Sequence, residues 1–316
     1  MPPESITREF EYSTLGKSLP GDSDMVEKKI VNDYYRLPKV ILLLARFLHV
    51  MSPYLASRLL LFFFTRPIRF RTPDRELGFL AESELSRVLI PELNKTLQVY
   101  HLRNEGEKIL LVHGWNGRGS QFHRIARECH NAGFDVTAFD LPGHGKSTSR
   151  GCNISEIISC INHLSNEIGP FDHVISHSIG SIAALNSVKG EDDFQSIVTI
   201  SLPSLTIRPL FVDFVGMFGL PEEKYTDMMF EYYEKKYRQK VASLDPVGFA
   251  DSLRIRSLII HCKDDMDADM SSSEGLHEEV ANSEILLTEG LGHRRILRAE
   301  LVSERIVNFL RGRISV

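Results

Sequence analysis

A chain of 316 residues that is 42% hydrophobic can bury a large core, which excludes a disordered or fibrous protein. Its formal net charge is −5 and its lysines and arginines are spread along the chain, so no basic stripe tracks a phosphate backbone and nucleic acid is not an expected partner. Four cysteines, Cys129, Cys152, Cys160 and Cys262, form neither a CxxC pair nor a disulfide framework for so long a chain, which points to a reducing compartment.

The opening stretch, residues 1–30, lacks the basic and apolar regions of a secretory signal, so a cytoplasmic protein is expected. Next comes "KVILLLARFLHVMSPYLASRLLLFFFTRP", Lys39 to Pro67, interrupted by Arg46, Pro53 and Arg58. A spanning helix needs roughly 18 or more apolar residues with few charges, and this stretch fails that test. It reads as two helices, the second opened by Ser52 as N-cap and Pro53 at its first position. Lys39 and Arg46 stand two helical turns apart, giving the first helix a narrow basic stripe beside a wide apolar face. Two readings remain open: a helical pair packed on its own domain, or an anchor through residues 39–67 at the inner face of a membrane.

From about Arg87 the pattern alternates. "RVLIPEL" and "LQVYHLR", joined by "NKT", predict an opening hairpin. The apolar runs "KILLVHG", "DVTAFD", "HVISHS", "SIVTIS", "SLIIHC" and "EILLTEG" have parallel-strand character, and helical patterns such as "SQFHRIARECHNAG" and "ISEIISCINHLSNEIG" lie between them. An α/β fold follows, with eight strands, a mostly parallel sheet and helices on both faces. About fifty residues separate "SIVTIS" from "SLIIHC", far more than a crossover needs, and predict an inserted helical cap over about 205–250. Tyr225, Met228, Met229, Tyr232 and Tyr237 recur near helical spacing, so the insert offers an apolar face; it reads mainly as core, and also as a wall for a pocket over the strand ends. The expected units are a helical extension over 1–75 and the sheet domain with its cap over 76–316.

"HVISHSIGSIAAL" runs from strand to helix through one residue. Such a bend forces that residue into strained backbone angles and requires small neighbours, here Ser176 and Gly180. Ser178 at the apex then presents its hydroxyl, and the Ile179 amide, at a helix N-terminus, suits negative charge. A serine alcohol needs a base, and the base an orienting acid. Of twelve histidines only His293 follows the last predicted strand in a Gly-flanked loop. After the preceding strand, "KDDMDAD" supplies Asp264, Asp265, Asp267 and Asp269; spacing favours Asp265, then Asp264. A second oxyanion donor is expected in the "HGWNG" turn, from Trp115, with His113 supporting the turn.

The series "HGW", "AFDLPGHGKS", "SHSIG", "HCKDD" and "GHRRIL" resembles the α/β-hydrolase family over about residues 85–316. The resemblance implies the α/β-hydrolase fold, Ser178 as nucleophile, Asp265 as acid, His293 as base, and the amides of Trp115 and Ile179 as the oxyanion hole. The "HGWNGRGSQF" turn is similar to that of bacterial hydrolases carrying an extra N-terminal helical segment. Ser176 departs from the family's usual glycine and crowds the elbow.

Other motifs do not carry chemistry. "GHGKST", Gly143 to Thr148, resembles a phosphate-binding loop, but Asp140 stands where that loop needs glycine. Asp265, Asp267 and Asp269 match the first ligand positions of a calcium loop, but Met270 and Leu276 replace its glycine and glutamate. His261 beside Cys262 has no second pair for zinc. The expectation is a serine hydrolase acting on a small-molecule or lipid-like ester or thioester with an apolar acyl or aromatic group, needing neither metal nor organic cofactor. The alternatives are a non-catalytic ligand-binding homologue, or a C–C bond hydrolase or perhydrolase with the same three side chains.

Overall fold

The structure, a computed structural model, describes residues 38–189 and 194–312. The first part of the expected extension, residues 1–37, lies outside the described residues, and with it the segment weighed as a signal.

The apolar stretch at Lys39–Pro67 forms two helices, α1 (Lys39–Met51) and α2 (Pro53–Phe64). The Ser52 side chain accepts from the Leu55 amide and Pro53 opens α2, as the sequence predicts. A short helix α3 (Leu77–Glu82) leads into the hairpin β1 (Glu84–Ile90) and β2 (Lys95–Leu102). The first hairpin strand begins and ends three residues earlier than "RVLIPEL" suggests, at Glu84 and Ile90. Pro91 lacks an N–H for the ladder, so Pro91–Leu93 turns as a 3₁₀ segment, and Asn94 closes it in the left-handed region at φ 50°.

Six further strands follow: β3 (Lys108–Val112), β4 (Asp135–Phe139), β5 (His173–His177), β6 (Ser196–Ile200), β7 (Arg256–Cys262) and β8 (Ser283–Thr288). The eight lie in the order β1-β2-β4-β3-β5-β6-β7-β8, antiparallel from β1 to β4 and parallel from there on. The middle strands are apolar on both faces because helices cover both. On one face pack α4 (His123–Asn131) and α9 (Glu300–Leu310), burying Ile125, Ala126, Val302 and Ile306. On the other pack α5 (Ile154–Glu167) and α6 (Ile179–Ser187). α5 starts at a capping box between Asn153 and Glu156, and its Ile157, Cys160, Ile161 and Leu164 recur at the spacing that keeps one stripe on the sheet. All four cysteines are buried thiols.

Between β6 and β7 lie α7 (Arg208–Gly216) and α8 (Glu222–Tyr237). Tyr225, Met229 and Tyr233 of α8 are buried, one helical turn apart. That face meets α1 and α5: His49 Nδ1 hydrogen-bonds the Tyr225 hydroxyl at 2.7 Å, and the Tyr233 hydroxyl meets Ser155 Oγ at 2.5 Å. Phe64 of α2 stacks on Phe211 of α7 at 4.1 Å between ring centroids and packs edge-on to Phe214 at 5.0 Å. Much of the aromatic stripe read from the sequence is therefore core between the insert and the N-terminal helices. The parallel strands end together on one edge, and the loops leaving β3, β5, β7 and β8 meet there.

Candidate active site

β5 is buried along its whole length and leads into Ser178, whose backbone sits at φ 54° and ψ −128° before α6 begins. For a non-glycine residue this conformation costs on the order of 1–3 kcal/mol and persists only where the surroundings fix it. Here the Ser178 amide donates to the Ile200 carbonyl at 2.9 Å, and its carbonyl accepts from the Ser181 amide at 2.8 Å. The two neighbours are small for different reasons. A Cβ on Gly180 would lie 2.6 Å from the His113 carbonyl oxygen, so nothing larger fits. Ser176 is accommodated because its hydroxyl donates to the Val198 carbonyl at 3.0 Å, across to β6.

The turn after β3 closes over the serine. A Cβ on Gly114 would stand 2.8 Å from Ser178 Cβ. Trp115 follows directly, and neither its amide nor that of Ile179 donates to an acceptor among the described residues. His113 holds the turn: the Leu141 amide donates to its Nε2 at 2.9 Å, so Nδ1 carries the proton and donates to the Gly114 carbonyl at 2.7 Å. Burial pushes this imidazole well below its ordinary pKa, which keeps it neutral in that tautomer.

Asp265 and His293 come from the loops after β7 and β8. His293 Nδ1 lies 2.8 Å from Asp265 Oδ2 and 3.1 Å from Oδ1. The Asp265 side chain is wholly buried and also accepts the amides of Asp267 and Ala268 at 2.9 and 3.0 Å. Burial alone would raise its carboxyl pKa; the hydrogen bonds and positive charge of His293, together with the Asp267 amide, outweigh it and hold the carboxyl below the usual range. Asp264, the second choice from the sequence, faces elsewhere: it accepts the Gly290 amide and so ties down the loop that carries His293. Of the discarded motifs, His261 uses its ring on Ser273 Oγ at 2.6 Å and the Ala268 carbonyl at 3.0 Å, supporting the Asp265 loop. Among the described residues no group of three or more His, Cys, Asp or Glu could hold a metal.

The structure thus gathers Ser178, Asp265, His293, Trp115 and Ile179 at one end of the sheet. His177 links them: its Nε2 donates to the His293 carbonyl at 2.8 Å, and the two rings lie 4.6 Å apart. Burial, aided by the nearby charge of His293, pushes the His177 pKa down to about 3, so it is a fixed neutral donor. Periodicity alone does not single it out, although its place beside Ser178 at a strand end is a usable signal. Two other supports had none. Asp140 accepts the Gly119 and Lys146 amides and the Tyr100 hydroxyl, each at 2.8 Å. Glu76 forms a buried two-pronged pair with Arg118 at 2.7 and 2.8 Å and also accepts from Ser120 at 2.7 Å. Both brace the chain just after the Trp115 turn.

Residues 109–305 match the model of the alpha/beta hydrolase family, and the chain belongs to that family. No curated protein sequence matches it. Among solved structures it is similar to the esterase from Exiguobacterium antarcticum, with 16% identity, 72% of this chain and 99% of that one covered, and a TM-score of 0.56. An esterase of Pyrococcus furiosus shares 18% identity over 79% of this chain and 98% of its own, with a TM-score of 0.58. A bromoperoxidase from Bacillus anthracis shares 18% over 72% and 100%, with a TM-score of 0.55. At these identities the likeness is one of fold, and the fold and family together define a hydrolase.

Proposed function

We propose that this protein is a serine hydrolase that cleaves a carboxylic ester or thioester through an acyl-enzyme. The observation that carries the reading is the 2.8 Å pair between the buried Asp265 carboxylate and the His293 imidazole, whose backbone carbonyl is tied to His177, the residue before the serine in its strained elbow.

In this reading the Nδ1–H of His293 donates to Asp265, which leaves Nε2 as the basic atom. His293 takes the Ser178 proton as Oγ attacks the carbonyl carbon, and the amides of Trp115 and Ile179 hold the resulting oxyanion. Each such donor is worth on the order of a hundredfold or more in rate. The intermediate collapses, His293 passes the proton to the leaving oxygen or sulfur, and Ser178 keeps the acyl group. Water, deprotonated by His293, then attacks the ester and restores the serine.

Replacing Ser178→Ala tests the reading. It is expected to abolish hydrolysis of p-nitrophenyl butyrate and labelling by a fluorophosphonate, with the circular dichroism spectrum unchanged. Undiminished turnover in that variant refutes the mechanism, and failure of the unaltered protein to be labelled favours a ligand-binding role.

A further inference from the structure

Helix α1 is apolar around most of its circumference, broken by the narrow stripe of Lys39 and Arg46, and only part of the apolar surface is covered. Its inward arc, Ile41, Leu42, Ala45 and Leu48, packs into the core. Its outward arc is Val40, Leu43, Leu44, Phe47, Val50 and Met51, at the i, i+3, i+4, i+7 spacing of one helix face, and each of the six is more than two-fifths exposed, Val50 reaching 81%. Tyr54 and Leu55 at the start of α2 extend the exposed patch at 62% and 49%. Single exposed apolar side chains are ordinary, but a contiguous face of this kind marks a surface with a partner.

The charge around this face says which partner. Residues 39–73 contain Lys39, Arg46, Arg58, Arg66, Arg69 and Arg71 and not one Asp or Glu, in a chain whose net charge is −5. These cations are not neutralised by carboxylates among the described residues. Arg58 stacks on Tyr232, Arg66 on Phe62, and Arg69 donates to the carbonyls of Gly143, Ser147 and Ser149. Lys39, Arg46 and Arg71 are exposed. Lys39 and Arg46, two turns apart, border the outward apolar arc along one edge, where a helix lying at a bilayer surface meets headgroups. α1 has 13 residues and α2 has 12, and no described helix is long and apolar enough to cross a membrane.

We propose that the outward face of α1 with the start of α2 docks on an anionic phospholipid bilayer, α1 lying in the plane of the surface with its apolar arc among the acyl chains and Lys39 and Arg46 at the phosphates. The full chain is tested by sedimentation with large vesicles of phosphatidylcholine alone or mixed with phosphatidylglycerol. Binding is read without turnover, so the outcome is independent of the ester chemistry. The chain is expected to bind mixed vesicles about tenfold or more tightly than neutral ones, since cations near an anionic surface each add to the attraction. The pair Leu43→Asp with Phe47→Asp is expected to weaken binding at least about tenfold, as is Lys39→Glu with Arg46→Glu. These side chains point outward, so the melting temperature and the hydrolysis of a soluble ester stay unchanged in both variants. Three results overturn the proposal: no binding by the full chain, equal binding to neutral vesicles, or a dimer in light scattering that Phe47→Asp splits, which would assign the face to a second copy.

Discussion

Replacing Gly114→Ala probes the proposed oxyanion turn with one methyl group. The added Cβ would meet Ser178 Cβ at 2.8 Å, His177 Nδ1 at 3.1 Å and the His177 carbonyl oxygen at 3.2 Å. Carbon atoms pack at roughly 3.5–4.0 Å, so the first contact falls short by about 1 Å. Ser178 cannot supply that space, because its amide is bonded to Ile200 and its φ is already strained at 54°. His177 cannot either, being tied to the His293 carbonyl. The turn therefore moves, carrying the Trp115 amide about 1 Å from the developing oxyanion. Displacements of that size cost about a hundredfold, comparable to deleting one donor. We expect kcat for p-nitrophenyl butyrate to fall about a hundredfold, KM to change little, and stability to drop by about 1–3 kcal/mol from overpacking. Gly248→Ala, whose Cβ would meet nothing within 4 Å, is the matched control. Normal kcat in a Gly114→Ala protein that melts within a few degrees of the unaltered one would refute the assignment of this turn.

Two further outcomes are expected. Asp265→Asn removes the charge that orients and stabilises the His293 imidazole; kcat should fall on the order of a thousandfold or more, and a loss below tenfold with the fold intact would exclude that role. Acid should unfold the protein earlier than carboxylates alone predict. Burial pushes the pKa of His144 down to about 4 and, with help from the His293 charge, that of His177 down to about 3. Unfolded histidine takes a proton near 6.5, so this part of the stability is complete above that pH and is lost as pH falls from there toward the folded values. At about pH 5 each of the two removes about 2 kcal/mol, or about 4 together, measurable by urea titration; a flat stability between about pH 7.5 and pH 5 would contradict it.

The residues of the proposed site could be singled out in the sequence because each follows an apolar run: Ser178 after β5, Asp265 after β7 and His293 after β8. Periodicity finds such runs, and a parallel sheet brings their ends to one edge. The supports were not legible. Glu76 lies 42 residues from Arg118, and Asp140 lies 40 from Tyr100; nothing in local spacing marks a polar side chain that is paired only after the chain has folded. His177 is hidden for a different cause: it completes the strand pattern of "HVISHS", and nothing in that pattern marks it as a donor to a loop 116 residues away. The N-terminal helices divide the two readings given for them: the inward arc of α1 packs on the body, while the outward arc carries the proposed bilayer contact.

The tie between His177 and His293 spans 116 positions of chain, and the imidazole it steadies rides on the loop after the outermost parallel strand. That loop is held by the pairing of β8 with β7, Ser257 to Cys262 against Ser283 to Thr288. In the proposed mechanism the alcohol therefore depends on an edge strand far from it in the chain: loosening that strand would silence Ser178 without touching the elbow that presents it.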